Sequence, residues 1–419
     1  MFTQGKKGLN IMRNMEFFKS ISIDEAIDIA SNFGKTYTLD YEVVNFEDAL
    51  GRFAFENIVS SENIPNFNRS RMDGFALKSK ETIGSSETMP SLFNIIGTVS
   101  IGEKPNFKIN SEECTYVPTG GEIPEGADAV VMIENTDTIG ENELLCNKST
   151  AANENITMVG EDIKTGEVVI EKGTKLTAFH IGVLASLGIE TIKVFKKPKV
   201  SIISTGDEIV PVSKKNLVGT EIRDINTHCL KAQLKEFGCE VISTNLVKDN
   251  YDLLKESILS VIELSDFIIM SGGSSVGERD YMNKLLKELG EVFFHGIRIK
   301  PGKPVLFGSI NNKAFFGLPG NPVSCSLTCD LIISEFVKAL NNSSHLPIKG
   351  NLPINTNIHS APGKDTFQMI DIIDGKAAPI LGRSSMISMM AKAKGYIRIS
   401  EHKEGLYKDE NIEVHFLNR

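Results

Sequence analysis

The stretch DFIIMSGGSSVGERDY, residues 266–281, carries residue types that can bind an anion. Its apolar start is typical of a buried strand, and the small residues that follow leave backbone N–H groups uncovered. A helix expected to begin near Asp280 would add the positive end of its dipole. The candidate ligand-binding residues of this loop are Gly272, Gly273, Ser274, Ser275 and Gly277.

Asp280 has two interpretations. An acid at a helix start is a routine cap and a favourable partner of the helix dipole. It is also a candidate Mg²⁺ ligand, because a metal held beside phosphates usually takes one or two carboxylates. The glycine–serine loop directly before Asp280 favours the metal interpretation.

Two further loops in the same part of the chain carry charged residues. STGDEIV (204–210) places Glu208 just after a strand-like run, and IKPGKPVLFG (299–308) holds Lys300 and Lys303 around a Pro-Gly turn. Lysine can present a point charge to an oxyanion or a phosphate. Solvated surface acids and lysines explain each of these loops equally well when it is taken alone.

A fourth loop, GLPGNPVS, enters a helix. Asn321 is expected to cap this helix, and Pro322 fits its first turn, where a proline loses no hydrogen bond. The uncovered N–H groups of such a helix start can form a second anion pocket. Its candidate residues are Pro319, Gly320, Asn321, Pro322 and Ser324.

The elements that must position these loops alternate between strand and helix from Val200 to about Leu340. This alternation predicts a three-layer α/β sheet, in which ligands bind beyond the carboxyl ends of the strands. Four loops at that edge, offering carboxylates, lysines and two helix starts, indicate an anionic ligand and a divalent metal.

The rest of the chain is predicted to form smaller units. Residues 1–14 are expected to be a disordered extension, and residues 15–60 with 156–197 a discontinuous, mostly helical dimerisation domain. Residues 61–155 have short β-like runs and are expected to be a β-rich inserted domain. The α/β domain is placed at 198–345 and a C-terminal β domain at 346–419; KKPKV (196–200) resembles a hinge.

Composition excludes several classes. A chain of 419 residues is too long for one hydrophobic core, and its net charge of −9 argues against non-specific nucleic-acid binding. Its six cysteines lack zinc-ligand spacing, which fits a reducing cytoplasm. No apolar stretch approaches the roughly 20 residues of a membrane span, and the first fourteen residues lack the apolar core of a secretory signal.

The motifs taken together resemble a known family. RSRMDGFAL, PTGGEIPEGADAVVMIE, VGEDIKTGE, STGDEIV, SGGSSVGERDY, KPGKP and GLPGNPVS occur in the order seen in the molybdopterin molybdenumtransferases. These are the MoeA-type enzymes, represented also by the E domain of gephyrin and by its plant counterpart. The resemblance runs from about Met15 to the C-terminus, and SGGSSVGERDY together with GLPGNPVS is its most specific part.

The resemblance implies a transferase of molybdenum cofactor biosynthesis. Such an enzyme hydrolyses adenylylated molybdopterin with the help of a divalent metal, inserts molybdate and releases AMP. It implies an elongated cytoplasmic homodimer, whose α/β domain resembles the molybdopterin adenylyltransferases and can contact the one that makes its substrate. No nucleic acid and no membrane are expected as partners.

The resemblance also implies roles for individual residues. Asp280 would bind Mg²⁺ at the pyrophosphate, with Glu208 and, less securely matched, Asp249 as further acids. Lys300 and the turns at Pro319 and Pro322 would line the molybdate region. The partner subunit of the dimer would supply Asp73, Thr119 and Asp162. The predicted catalytic residues are Asp73, Glu208, Asp280 and Lys300.

The chain departs from the family pattern where basic residues are usual. Thr157, Lys364, Met369 and Gly296 stand at these positions. Arginine and lysine are not equivalent at bidentate anion sites. Compensation by Arg298 or Arg383 is a hypothesis.

Three alternatives stay open. A tungstate-using paralogue would keep the same motifs. An adenylyltransferase shares the α/β domain but usually lacks the other domains. A scaffold or binding protein is the third alternative, against which Glu208, Asp280 and Lys300 argue.

Overall fold

The apolar run before the glycine–serine loop forms an interior strand of a six-stranded sheet. The computed structural model describes residues 20–273 and 280–417. The predicted extension 1–14, the start at Met15 and the loop residues Ser274, Ser275 and Gly277 lie outside the described residues. The strands of the central sheet are β1 (Lys199–Thr205), β2 (Glu240–Val247), β3 (Phe267–Ser271), β4 (Glu291–His295), β5 (Leu306–Ile310) and β6 (Lys313–Leu318).

The central sheet has the order β2-β1-β3-β6-β5-β4. Its first four strands are parallel, and β5 runs antiparallel to both of its neighbours. All five residues of β3 are buried, as expected where helices cover both faces of a parallel sheet.

Helices cover both faces of the central sheet. They are α1 (Ile23–Gly34), α2 (Asn226–Glu236), α3 (Tyr251–Ile262), α4 (Tyr281–Leu289), α5 (Pro322–Thr328) and α6 (Ser334–Leu340), with a π turn (Cys329–Ile333) joining α5 to α6. Ile202 and Ile269 pack with α1, α2, α5 and α6, whereas Ile203 and Ile268 pack with α3 and α4. Neighbouring residues of a strand point to opposite faces, and the predicted three-layer arrangement is confirmed.

The N-terminal region is less helical than predicted. After α1, strand Tyr41–Asn45 pairs with Thr191–Phe195, and strand Ile58–Val59 pairs with Val168–Ile170. The other elements of this region are a 3₁₀ turn (Phe46–Ala49) and a helix (Ala178–Ser186). The reading of residues 15–60 as mostly helical is therefore wrong after residue 40, because these strands are stabilised by partners more than 100 residues away. The domain limits themselves stay predictions.

The predicted β-rich region forms a second six-stranded sheet. In spatial order its strands are Ala129–Met132, Gly74–Leu77, Glu113–Val117, Ser91–Thr98, Glu143–Cys146 and Thr136–Ile139. Two 3₁₀ turns (Ser79–Thr82 and Ile133–Asn135) flank it. Strand Arg69–Ser70 pairs with Ile156–Thr157, so the two ends of the inserted region meet.

The C-terminal region is a third sheet. In spatial order its strands are Ile299–Lys300, Asp365–Ile373, Gly395–Ile399, Asn411–Phe416 and Lys349–Pro353, with Lys376–Pro379 beside the second. The C-terminal region also has a short helix (Ser388–Lys392) and a strand pair, Ile358–His359 with Gly405–Leu406. The central region has one further strand pair, Ile209–Val210 with Ile222–Arg223. Lys300 therefore lies at the junction of two sheets.

None of the six cysteines forms a disulfide. No helix of the described residues combines the length and the apolar composition needed to cross a lipid bilayer.

Candidate functional site

Three of the four predicted loops meet at one edge of the central sheet. Because β2 and β3 lie on opposite sides of β1, the loops after β1 and β3 diverge and open a crevice. Gly272 has a φ of +93°, and a Cβ atom there would lie 2.1 Å from the carbonyl oxygen of Thr205. A Cβ atom at Gly320 would lie 3.6 Å from the Cα of Gly272. The backbone thus approaches closely at two glycines that sequence motifs had singled out.

Asn226, which sequence reasoning missed, ties these loops together. Its Nδ2 donates to Ser271 Oγ at 2.7 Å and to the carbonyl oxygen of Gly320 at 2.8 Å. Its Oδ1 is buried and accepts no hydrogen bond from any described residue. Buried polar atoms are rarely unsatisfied, so this oxygen is a candidate ligand contact. The sequence feature that could have indicated Asn226 is its position at the start of the helix that follows the STGDEIV loop.

Asp280 caps a helix and also lies beside a histidine at the end of β4. Its Oδ1 accepts a hydrogen bond from the backbone N–H of Asn283 at 3.3 Å, at the start of α4. Its Oδ2 lies 3.4 Å from Nε2 of His295, at the end of β4. Burial raises the pKa of the Asp280 carboxyl, and His295 opposes that rise. Both interpretations of this aspartate are therefore compatible with its geometry.

The acids at the ends of β1 and β2 form a second group. Asp249 accepts a hydrogen bond from the hydroxyl of Thr205, and its own N–H donates to Asp207 Oδ1 at 3.3 Å. Lys248 Nζ donates to the carbonyl oxygen of Asp207 at 2.6 Å. The side chain of Glu208 is exposed at the same strand end. Asp249, which follows β2, and Glu208, which follows β1, thus lie at the carboxyl ends of neighbouring strands.

These carboxylates do not form a complete metal cage. In residues 20–273 and 280–417 no group of three or more His, Cys, Asp and Glu side chains is arranged to hold a metal ion. Mg²⁺ beside phosphates needs only one or two protein carboxylates, since waters and substrate oxygens complete its shell. One carboxylate at this edge of the sheet would therefore be enough on the protein side for a Mg²⁺ ion shared with a phosphorylated substrate.

The lysines of KPGKP are exposed at the boundary between the central and C-terminal sheets. Lys300 pairs with Thr366 in the C-terminal sheet. Gly302 has a φ of +113°, and a Cβ atom there would lie 2.8 Å from the side chain of Thr328 in α5. The turn between Lys300 and Lys303 is therefore packed against α5.

The start of α5 is only partly free to bind an anion. Asn321 occupies the N-cap position, as predicted, but its side chain accepts no cap hydrogen bond. The N–H of Val323 instead donates to the carbonyl oxygen of Ser384 at 3.0 Å. Ser384 lies in a loop some 60 residues further along the chain, so local sequence does not reveal this contact. Pro319 and Ser324 are buried, whereas Gly320 is exposed.

Arg298 and Arg383 were suggested to compensate for the basic residues that the chain lacks, and their surroundings differ. Arg298 is engaged, because its Nε donates to Glu401 at 3.1 Å and its Nη1 to the carbonyl oxygen of Ser20 at 2.9 Å. Arg383 is exposed and directly precedes Ser384, which contacts the start of α5. Arg383 is thus the better placed of the two.

A second group of predicted residues lies in and beside the inserted sheet. Thr119 donates from both its N–H, at 2.7 Å, and its hydroxyl, at 3.1 Å, to Oδ1 of Asp73. The N–H of Asp162 donates to the carbonyl oxygen of Ile64 at 3.1 Å. Sequence separation hides the first contact, since Asp73 and Thr119 are 46 positions apart.

The positions that depart from the family pattern have structural explanations in part. Thr157 accepts a hydrogen bond from Nε of Arg71 at 3.2 Å, so a guanidinium is present beside this position. Met369 is 2% exposed and belongs to the hydrophobic core. Gly296 has a φ of +91°, a conformation that favours glycine. Lys364 is partly exposed, and nothing in the structure explains it.

Comparisons with known proteins agree over nearly the whole chain. Residues 21–188 match the MoeA N-terminal region (domain I and II), residues 201–339 a probable molybdopterin binding domain, and residues 351–417 the MoeA C-terminal region (domain IV).

Full-length relatives support the same assignment. A putative molybdopterin biosynthesis protein of Methanocaldococcus jannaschii is 34% identical over 382 residues, which cover 89% of this chain and 92% of that protein. A molybdopterin molybdenumtransferase of Haemophilus influenzae is 36% identical over 330 residues, covering 78% and 80% of the two chains. The crystal structure of a molybdopterin biosynthesis MoeA protein from Pyrococcus horikoshii OT3 superposes with a TM-score of 0.84 at 28% identity, covering 95% of this chain and all of that one. With three family regions in order and relatives above 30% identity along most of their length, the chain belongs to the MoeA family of molybdopterin molybdenumtransferases.

Proposed function

We propose that this protein hydrolyses adenylylated molybdopterin and inserts molybdate, releasing AMP and the molybdenum cofactor. Membership of the MoeA family already assigns it to molybdenum cofactor biosynthesis. The observation that supports the specific reaction is the close approach of Gly272 to Thr205 and of Gly320 to Gly272 at the switch point of the central sheet. Backbone N–H groups gathered in this way can cradle phosphate oxygens.

The proposal assigns the phosphate and metal contacts to the central region. Gly273 would bind the pyrophosphate through its N–H group. The N–H of Gly272 donates to the carbonyl oxygen of Leu318 at 3.3 Å, so Gly272 would instead shape the turn. Asp280 and Glu208 would hold Mg²⁺, with Asp249 as a further acid at the end of the neighbouring strand. When bound, Mg²⁺ neutralises charge that develops on the phosphoanhydride during attack at phosphorus.

The oxyanion contacts are assigned to the boundary with the C-terminal region. Lys300 and Lys303 are exposed there and can place positive charge beside molybdate. The exposed turn at Gly320 and the adjacent Arg383 extend the same surface.

We also propose that the active site is completed by a second copy of the chain. Asp73 and Thr119 are already joined by two hydrogen bonds and are both exposed, so their geometry is fixed before any substrate binds. Together with Asp162 they would face the crevice of the partner in a homodimer, as in other shared sites with two-fold symmetry.

The decisive experiment is an assay with the purified protein. Adenylylated molybdopterin, Mg²⁺ and molybdate are supplied, and AMP release is measured together with activation of an apo molybdoenzyme. We expect both signals, and we expect EDTA to abolish them until Mg²⁺ is restored. A parallel reaction with tungstate tests the choice of oxyanion. The absence of AMP from the complete mixture would exclude the proposed reaction.

A further inference from the structure

A second concave surface lies at the opposite edge of the central sheet from the candidate active site. It has a volume of about 580 Å³. We call it the basic groove, after the cationic residues that line it, which are Arg52, Lys196, Lys197, Lys199, Lys231 and Lys235. Lys199 begins β1, whereas Thr205 ends it beside the crevice, so the two surfaces are separated by the length of that strand, roughly 20 Å.

Positive charge in the groove is only partly neutralised. Two carboxylates, Glu42 and Glu240, also line it. Glu42 is paired with Arg52, and Lys196 is bonded to Asp40 at 2.6 Å.

Three lysines of the groove keep their charge available. Across the part of the chain that the structure describes, the ammonium groups of Lys197, Lys231 and Lys235 make no hydrogen bond or ion pair. All three side chains are exposed. Charges that converge on a concave surface focus the electrostatic field and attract anions.

Two lysines of the groove repel each other in the protein alone. Lys231 and Lys235 are four residues apart on α2, where like charges destabilise a helix. The chain as a whole carries a net charge of −9, so this cationic cluster runs against its average composition. An anionic ligand would relieve the repulsion.

The groove also joins two parts of the fold. Arg52 and Lys196 lie with the strand pair Tyr41–Asn45 and Thr191–Phe195, whereas Lys199 and Lys235 belong to the central region. Residues 196–198 connect the two at the segment predicted to be a hinge. A ligand held from both sides would fix their relative position.

We propose that the basic groove binds a small molecule carrying one or more phosphate groups. Its volume falls within the range of small-molecule sites, roughly 300–1,000 Å³. Lysine ammonium groups bind phosphate as point charges. Because the groove is remote from the crevice, this site does not depend on the proposed reaction, and its occupancy would act on the hinge.

Pyrophosphate is the probe for the first test. Binding to the metal-free protein is measured by calorimetry at low ionic strength, and hydrogen exchange locates the bound ion. We expect protection of residues 195–200 and 229–241. The double variant Lys231→Gln/Lys235→Gln should lose about tenfold in affinity, since two charges close to the anion are removed.

A matched variant controls for the loss of charge itself. Lys80→Gln/Lys104→Gln removes two exposed lysines from the inserted region and should bind pyrophosphate like the wild type. The hydrogen-exchange measurement uses the wild-type protein, so a misfolded variant cannot affect the location of the bound pyrophosphate. Protection confined to residues 268–273 and 319–326, or equal affinity in the two double variants, would overturn the proposal.

Discussion

His295 Nε2 lies 3.4 Å from Oδ2 of Asp280, and the two side chains are only 14% and 13% exposed. The other carboxylate oxygen of Asp280 accepts a hydrogen bond from the N–H of Asn283 at the start of α4. One oxygen therefore serves the helix, and the other is held beside an imidazole. The residue proposed as a metal ligand thus also has an ordinary structural role.

Asp280→Asn should separate these two roles. Asparagine caps a helix as well as aspartate does, so α4 should persist, while the metal loses a charged ligand. We expect AMP release to fall by about 100-fold or more, measured under saturating Mg²⁺. Asp280→Ala is the comparison, since it should lose the same activity and also about 1 kcal/mol of stability. Wild-type turnover by Asp280→Asn would remove the metal assignment.

The same variant has a predictable pH dependence of stability. Burial raises the pKa of Asp280 above its ordinary value of 3.8, so the folded chain binds this proton more tightly than the unfolded chain. The ionised carboxylate therefore costs stability above the raised pKa, and that cost disappears as pH falls below the ordinary value. Asp280→Asn should accordingly unfold at no lower a temperature than the wild type at pH 7.5. The unfolding temperatures are measured by scanning calorimetry. A clearly lower unfolding temperature of Asp280→Asn at pH 7.5 would contradict this account of the buried carboxyl.

His295→Phe should shift the pH dependence of the reaction. The charge of His295 opposes the rise in the pKa of Asp280, so its removal should let that pKa rise further. The acid limb of the kcat profile is then expected to move to higher pH. His359→Phe, at an exposed position of the C-terminal region, is the control. Coincident profiles for the two variants would show that His295 does not influence Asp280.

Two inactive variants should complement each other if the active site is shared. Asp73→Ala removes the acceptor of both Thr119 hydrogen bonds, and Asp280→Asn removes the carboxylate at the start of α4. After subunit exchange, half of the dimers are mixed and each holds one intact site, which predicts about a quarter of wild-type AMP release. No recovery, with exchange verified by mass spectrometry, would place all these residues in one subunit's site.

Arg398 should contribute to the attachment of α1 to the C-terminal sheet. It donates to both oxygens of Asp24 at 2.7 Å and to Oδ2 of Asp365, also at 2.7 Å. Asp365 is 5% exposed, so Arg398→Met leaves a buried carboxylate without its cation and should cost about 2 kcal/mol in urea unfolding.

Asp24→Asn is the matched control for this network. Asp24 is exposed, and its pair with Arg398 should be worth less than about 1 kcal/mol. The hydrogen bond from Arg398 holds the pKa of Asp24 below its ordinary value of 3.8. The small stabilisation by this pair should therefore be present at neutral pH and be lost as the pH falls through that depressed pKa. An equal loss of stability in the two variants at pH 7 would argue against the buried-carboxylate explanation.

Local sequence predicted several elements of the central region. A helix was expected to begin near Asp280, and Asp280 is the N-cap residue of α4. The apolar run of β3 likewise predicted a buried strand, which the structure confirms. The glycines after it were predicted only to expose N–H groups to an anion; the close approach of Gly272 to Thr205 came from the structure. Periodicity and glycine content carry this information because they act through neighbours in the chain.

Contacts between distant residues were decided only by the tertiary structure. Asp73 with Thr119 and Asp280 with His295 each join separate elements, and the N–H of Val323 is occupied by the carbonyl group of Ser384. Strand Tyr41–Asn45 has its partner some 150 residues away. The sequence by itself determined which chemical groups the loops offer. The packing of whole elements determined which of those groups meet, because contacts between distant residues depend on burial and sheet register that no local pattern encodes.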